Sequence, residues 1–202
     1  STESHRDRVI QMGEAPERVH HVGALGLEQI ERTRLMALEA LAQNLAFRLR
    51  SPYFLVTWHP ETLSAMAPSV AFMEVLAALD QFPNHQIILT YPNADEGGRT
   101  LIPILESWVS THGSRAVAVP SLGQQRYLSA MSRAAAVIGN SSSGIIEAPY
   151  FKVPTIDIGQ RQLGREAAAS VSHCAAERWD ITHTIQAALN RAWTAADFAN
   201  PY

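Results

Sequence analysis

Cysteine is almost absent from these 202 residues: Cys174 stands alone. No intrachain disulfide framework can hold the fold, and a reducing compartment is the default. No apolar run approaches the length of a membrane span, and the start carries no apolar signal segment, so no membrane partner is expected and the cytoplasm is the predicted location. Charge of either sign is not in excess. With 16 Lys and Arg against 19 Asp and Glu, the formal net charge of -3 gives no global bias towards nucleic acid, although it leaves room for a local basic pocket. Metal-ligand spacing is lacking too: His173 and His183 have no second ligand pattern around them, and Cys174 has no cysteine-histidine catalytic signature. There is also no opening methionine. Ser1 to Ile10 runs directly into a helix-like pattern with Thr2 as its cap, which reads as a fragment beginning inside a larger fold.

What is present is an ordinary globular composition, 47% apolar and 17% charged, enough for one substantial core. Short apolar runs alternate with amphipathic stretches. A helix over residues 3–12 is broken by Gly13 to Pro16; residues 19–22 make a brief strand candidate; a long helical pattern follows from about Leu27 to Leu49, with Arg48 and Arg50 facing solvent. Strands are predicted at 53–58, 86–91, 116–119, 153–158 and 171–174. Helices are predicted at 69–82, from Arg99 to about Ser110 with Pro103 tolerated in the first turn, at 124–135 and at 181–193. The alternation predicts one three-layer α/β domain with a mainly parallel sheet.

One stretch organises the rest. Val137-Ile-Gly-Asn-Ser-Ser-Ser-Gly-Ile-Ile-Glu147 reads as buried strand, tight polar turn and a helix beginning near Ile145. Unpaired amides, three hydroxyls and Asn140 are donors suited to an anion, though the same letters also describe an ordinary Asx/Ser turn capping a helix. The segment is neither the lysine-containing phosphate loop of nucleotide triphosphatases nor a GxGxxG fingerprint. Glu147 would repel phosphate, so it fits better as an acceptor for neutral hydroxyls such as a ribose diol. Arg161, past the next strand, can return positive charge to the same rim. His59 follows a strand directly, where open α/β sheets place ligands, with a structural or solvent-facing histidine as the alternative. Asn93 and Arg99 flank a glycine-containing loop and can meet at one polar ligand, or belong to a plain surface loop. Tyr127 is as well read as core.

Gly139-Asn-Ser-Ser-Ser-Gly-Ile-Ile-Glu-Ala-Pro149 and Gly159-Gln-Arg-Gln-Leu-Gly-Arg165 resemble the signature of the hydrolysing UDP-N-acetylglucosamine 2-epimerases, relatives of the glycosyltransferase-B architecture. Thr57-Trp-His-Pro-Glu-Thr-Leu63, Tyr91-Pro-Asn-Ala-Asp-Glu-Gly-Gly-Arg99 and Met12-Gly-Glu-Ala-Pro-Glu-Arg-Val19 extend the likeness over nearly all of the chain. The resemblance implies one Rossmann-like half of a two-domain UDP-sugar epimerase: residues 1–22 a remnant of the interdomain or N-terminal region, and 23–202 a UDP-binding C-terminal domain. It implies a UDP-sugar substrate, UDP as product or ligand, no metal or nicotinamide cofactor, and a missing N-terminal domain as partner; a homo-oligomer is compatible with it.

In that picture His59 has a role in the cleft, and Asn93, Arg99, Leu122, Tyr127, Asn140, Ser141, Ser142, Glu147 and Arg161 bind substrate, with Leu122 to Tyr127 bordering the uracil. The reaction implied converts UDP-N-acetylglucosamine and water to N-acetylmannosamine and UDP. The essential carboxylates lie in the earlier domain, and Asp95 and Glu96, in a polar loop, are not promoted in their place, so the 202 residues alone are expected to turn over weakly or not at all. A non-hydrolysing epimerase, a UDP-sugar glycosyltransferase half and a nonenzymatic UDP-sugar-binding module are the alternatives; Gly-Asn-Ser-Ser-Ser-Gly followed by Gly-Gln-Arg resembles the hydrolysing branch more closely.

Overall fold

A computed structural model describes residues 1–61, 64, 66–93 and 97–202. Asp95, Glu96 and the Thr62-Leu63 end of the histidine motif lie outside the described residues. Helices α1 (Glu3–Gln11), α2 (Leu25–Arg32) and α3 (Leu38–Asn44) precede the sheet. Then come β1 (Tyr53–Thr57), α4 (Pro68–Leu79), β2 (Gln86–Thr90), α5 (Gly98–Thr111), β3 (Ala116–Val119) and α6 (Gly123–Met131). The second half holds β4 (Ala136–Gly139), α7 (Ser142–Ile146), β5 (Thr155–Ile158), β6 (Val171–Cys174) and α8 (Arg178–Asn190). Among the described residues the six strands form one sheet in the order β3-β2-β1-β4-β5-β6, and every neighbouring pair is parallel.

Both faces of that sheet are covered, and the two-residue repeat of a strand sorts the side chains between them. Phe54 and Val56 of β1 join Ile87 and Leu89 of β2 in the core under α4, α5 and α8. Tyr53 and Leu55 point the other way, with Ile88, into a core shared with Leu41 of α3 and Met131 of α6. Strand β1 is buried throughout, which is why its sequence is a continuous apolar run rather than an alternating one.

The helix cap at Thr2 is present, its hydroxyl accepting the His5 N–H at 3.3 Å. Four local expectations are corrected. The long helix expected over Leu27 to Leu49 is two helices, because backbone groups of the intervening turn bond to α6 instead of to their own helix: the Met36 N–H donates to Ser129 Oγ at 2.9 Å, and the Arg34 carbonyl accepts from Gln125 Nε2 at 2.9 Å. Residues 19–22 join no sheet among the described residues; the Val19 carbonyl is taken by the Arg6 side chain at 3.0 Å. Pro103 lies in the second turn of α5, not the first, and the carbonyl it leaves without an amide donor belongs to the exposed Arg99. Helix α7 starts at Ser142 rather than Ile145 and is only five residues long, so hydroxyls and local amides, not a long dipole, set the character of the turn.

Because β1 leads to β2 on one side and has β4 on the other, the loops leaving β1 and β4 diverge at the carboxyl edge of the sheet. Open α/β sheets form their ligand crevice at such a reversal.

Candidate functional site

A cavity of about 490 Å³ opens at that reversal, within the range of small-molecule sites. Thr57 and His59 line it from the end of β1, Thr90 to Asn93 from β2, and Pro120 to Gln124 from β3 and the start of α6. Tyr127, Ser141, Ser143 and Glu147 complete that wall, and Gly26 and Gln29 of α2 close the side.

The turn after β4 is shaped by Gly139. Its φ is +134°, and a Cβ there would overlap the Thr57 carbonyl oxygen, so only glycine lets the ends of β1 and β4 come this close. Asn140 follows, fully buried. It was expected to donate to a ligand, and the structure gives it another task. Its Oδ1 accepts the His59 N–H and its Nδ2 donates to the His59 carbonyl, both at 2.8 Å, so the carboxamide is consumed in pinning the loop after β1 to the loop after β4. The Asn140 carbonyl in turn accepts from Gln162 Nε2 at 2.7 Å and Arg161 Nη1 at 3.2 Å, which adds the loop after β5 to the same tie.

His59 is half-buried on the cavity wall, and its Nδ1 accepts the Asn93 N–H at 3.1 Å. That bond puts the ring proton on Nε2. Asn93 reaches the cavity alongside it, whereas Arg99 is exposed on α5 and off the wall. Leu122 caps α6 and is buried at the cavity edge. Ser141 caps α7, its Oγ accepting from Ser143 N at 3.4 Å and Ser143 Oγ at 2.9 Å. Ser142, the first residue of α7, is off the wall, while Ser143 is on it. The Tyr127 ring packs with the α3–α6 core, and its hydroxyl meets Ser143 Oγ at 2.6 Å. Arg161 is exposed outside the cavity.

Glu147 differs from the other acids. It lines the cavity without a hydrogen-bond partner among the described residues, and burial pushes its carboxyl above the ordinary carboxylate range. A desolvated acceptor of this kind is completed by a ligand with hydroxyl donors.

Sequence reasoning missed Thr57, Thr90, Gly26 and Gln29 as wall residues. Gln29 was read only as part of a core helix and Gly26 fell in the turn before it; the structure starts α2 at Leu25, so the two lie three residues apart on one side of the helix.

All 202 residues match the family described as UDP-N-acetylglucosamine 2-epimerase. A hydrolysing GDP/UDP-N,N'-diacetylbacillosamine 2-epimerase from Campylobacter jejuni is 38% identical, the match covering 82% of this chain and 43% of that protein. The polysialic acid biosynthesis protein P7 of Escherichia coli is 35% identical over 100% of this chain and 52% of its own length. The chain thus spans about half the length of the curated relatives it matches. In fold it is similar to the Neisseria meningitidis UDP-GlcNAc 2-epimerase solved with UDP-GlcNAc, with a TM-score of 0.77 at 16% identity over 100% of this chain and 56% of that one. The S. aureus MnaA–UDP structure gives 0.75 at 13% identity, over 100% and 55%. A family match running from the first residue to the last, on a parallel sheet whose crevice gathers the serine turn, His59 and Glu147, makes this chain a member of the UDP-N-acetylglucosamine 2-epimerase family.

Proposed function

We propose that this chain is the UDP-holding part of a hydrolysing UDP-N-acetylglucosamine 2-epimerase, which in its complete form releases UDP and N-acetylmannosamine. The observation that carries the reading is Glu147: a carboxylate without a protein partner among the described residues, on the same wall as the Ser141 and Ser143 hydroxyls and the backbone edge at Leu122 and Gly123. A uridine base bordered by Pro120 to Gln124, a ribose diol donating to Glu147, and a diphosphate near Ser141 would use each of these groups according to its chemistry. Arg161 and Arg99 stand outside the wall. Arg161, whose Nη1 donates to the Asn140 carbonyl at 3.2 Å, is the cation assigned to the diphosphate in this reading.

In the reaction proposed for the complete enzyme, the proton at sugar C2 is removed and the bond from C1 to the UDP oxygen breaks, leaving a glycal-like intermediate. Water then adds across the double bond with the opposite configuration at C2. This chain's contribution is to hold the leaving diphosphate and stabilise the charge it gains, with His59 on the same wall. Neither metal nor redox cofactor enters that balance. The proton-transfer carboxylates are assigned to a domain beyond these residues.

The sugar is the less determined half of the substrate, since the C. jejuni and Legionella pneumophila relatives carry N,N'-diacetylbacillosamine in their names. Calorimetry with UDP on this chain tests the binding half. Release of UDP together with free amino sugar by the complete natural protein, offered both UDP-sugars, tests the reaction. UDP-N-acetylmannosamine as the product, or no product with UDP bound, would replace the reading by a non-hydrolysing epimerase or a binding module.

A further inference from the structure

The cavity floor carries hydroxyls in contact with one another, and their proton count can be worked out. Ser143 Oγ donates its single proton to Ser141 Oγ at 2.9 Å. In the 2.6 Å contact between Ser143 Oγ and the Tyr127 hydroxyl, the tyrosine is therefore the donor. Burial pushes the Tyr127 phenol above its ordinary range, so that proton stays in place across neutral pH. Ser141 Oγ already accepts twice, from the Ser143 hydroxyl and from the Ser143 N–H. Its lone pairs are filled, and it can only donate.

We propose that Tyr127 is a positioning residue: by donating to Ser143 it fixes the direction of the chain Tyr127 to Ser143 to Ser141, and so makes Ser141 an obligate donor to the anionic part of the ligand. This rests on the reading of the cavity as a nucleoside diphosphate site.

Removing the phenol oxygen leaves a lone pair of Ser143 empty. Ser141 can then donate back to Ser143, and its direction is no longer set. The aromatic ring, which packs in the core, is untouched by Tyr127→Phe.

The test compares UDP with uridine, by calorimetry, on the parent chain, Tyr127→Phe, Ser143→Ala and the double variant, with thermal melts to establish that each is folded. Tyr127→Phe is expected to weaken UDP binding about fivefold to tenfold while changing uridine by less than about twofold. A role in packing alone would move both ligands together. Ser143→Ala breaks the same chain one hydroxyl later and should show the same split; the double variant should be no more than about twofold worse than the weaker single one. Unchanged UDP affinity in both single variants, equal losses for UDP and uridine, or multiplying losses in the double variant would overturn the proposal. A parent chain that fails to bind UDP overturns the nucleotide reading itself, and the positioning role with it.

Discussion

Replacing Asn140 by alanine removes a side chain that ties the loop after β1 to the loop after β4. Two part-buried hydrogen bonds are lost, to the His59 N–H and the His59 carbonyl, each at 2.8 Å. An unsatisfied buried polar group costs about 1 to 3 kcal/mol, and His59 is half-buried, so the two together should destabilise the chain by roughly 2 to 4 kcal/mol. With a urea dependence of about 2 to 3 kcal/mol per molar for a domain of this size, the unfolding midpoint should fall by roughly 1 M. Asn140→Asp separates the two bonds. It keeps an oxygen for the His59 N–H but sets a second oxygen against the His59 carbonyl, so it should also be less stable at pH 7. Protonation restores a donor to that carbonyl, and the deficit against the parent should shrink as the pH falls. The contacts from Arg161 and Gln162 go to the Asn140 main chain and survive both changes. A midpoint for Asn140→Ala within about 0.2 M of the parent, or an Asn140→Asp variant as stable as the parent at pH 7, would refute the assignment of Asn140 as a structural pin.

Glu147 should affect stability and binding in opposite directions. Its folded pKa is raised above the ordinary 4.5 by desolvation, so its stabilising share is complete below 4.5 and is lost as the pH rises through the raised value. Glu147→Gln should therefore melt higher than the parent at pH 8, with the advantage vanishing below pH 4.5, while binding uridine less well and 2',3'-dideoxyuridine about equally; a lower melting point at pH 8 would contradict this. Gly139→Ala should fail to fold or lose more than about 3 kcal/mol in urea titrations, since its Cβ would overlap backbone, whereas Gly144→Ala, whose Cβ would lie 2.7 Å from a Thr155 methyl, should cost less because that side chain can shift. Arg161→Ala should weaken UDP binding by roughly 1 to 3 kcal/mol, with the loss shrinking as salt is raised; equal affinity in calorimetry would place Arg161 away from the diphosphate.

The strands and their parallel arrangement were legible because a strand buried on both faces has to be an uninterrupted apolar run, and Tyr53 to Thr57 and Ala136 to Gly139 are such runs between turn residues. The break between α2 and α3 was not legible. No proline or glycine marks it, and its cause is a set of bonds to α6, 93 positions away in the case of Met36 and Ser129. The serine turn announced a polar site, but the letters could not say which side chains face the cavity. Asn140 and Ser142 look equivalent to Ser141 and Ser143 in sequence; the positive φ of Gly139 and the early start of α7 decide which pair lines the wall. Glu147 stood out in the sequence because an acid beside a prospective phosphate needs some other partner, and the structure puts it on the cavity wall.

The polar bonds at the carboxyl edge run between loops more than within them, and this bears on how a ligand would be held. Glu61, after β1, accepts the backbone N–H groups of Gln160 and Arg161 at 2.9 and 3.2 Å, and a Cβ at Gly159 would overlap the same carboxylate. Asn140, after β4, holds His59 and receives Arg161 and Gln162. His59 in turn holds the Asn93 amide after β2. Four loops that diverge from neighbouring strands are thus joined by the chain's own groups. Ordering such loops would otherwise subtract from affinity, so a site built this way commits its binding energy to the ligand rather than to its own assembly. It also explains why Glu147 can stand without a partner among the described residues: the surrounding bonds, not the acid, keep the wall in place, and its carboxylate is left to face the cavity.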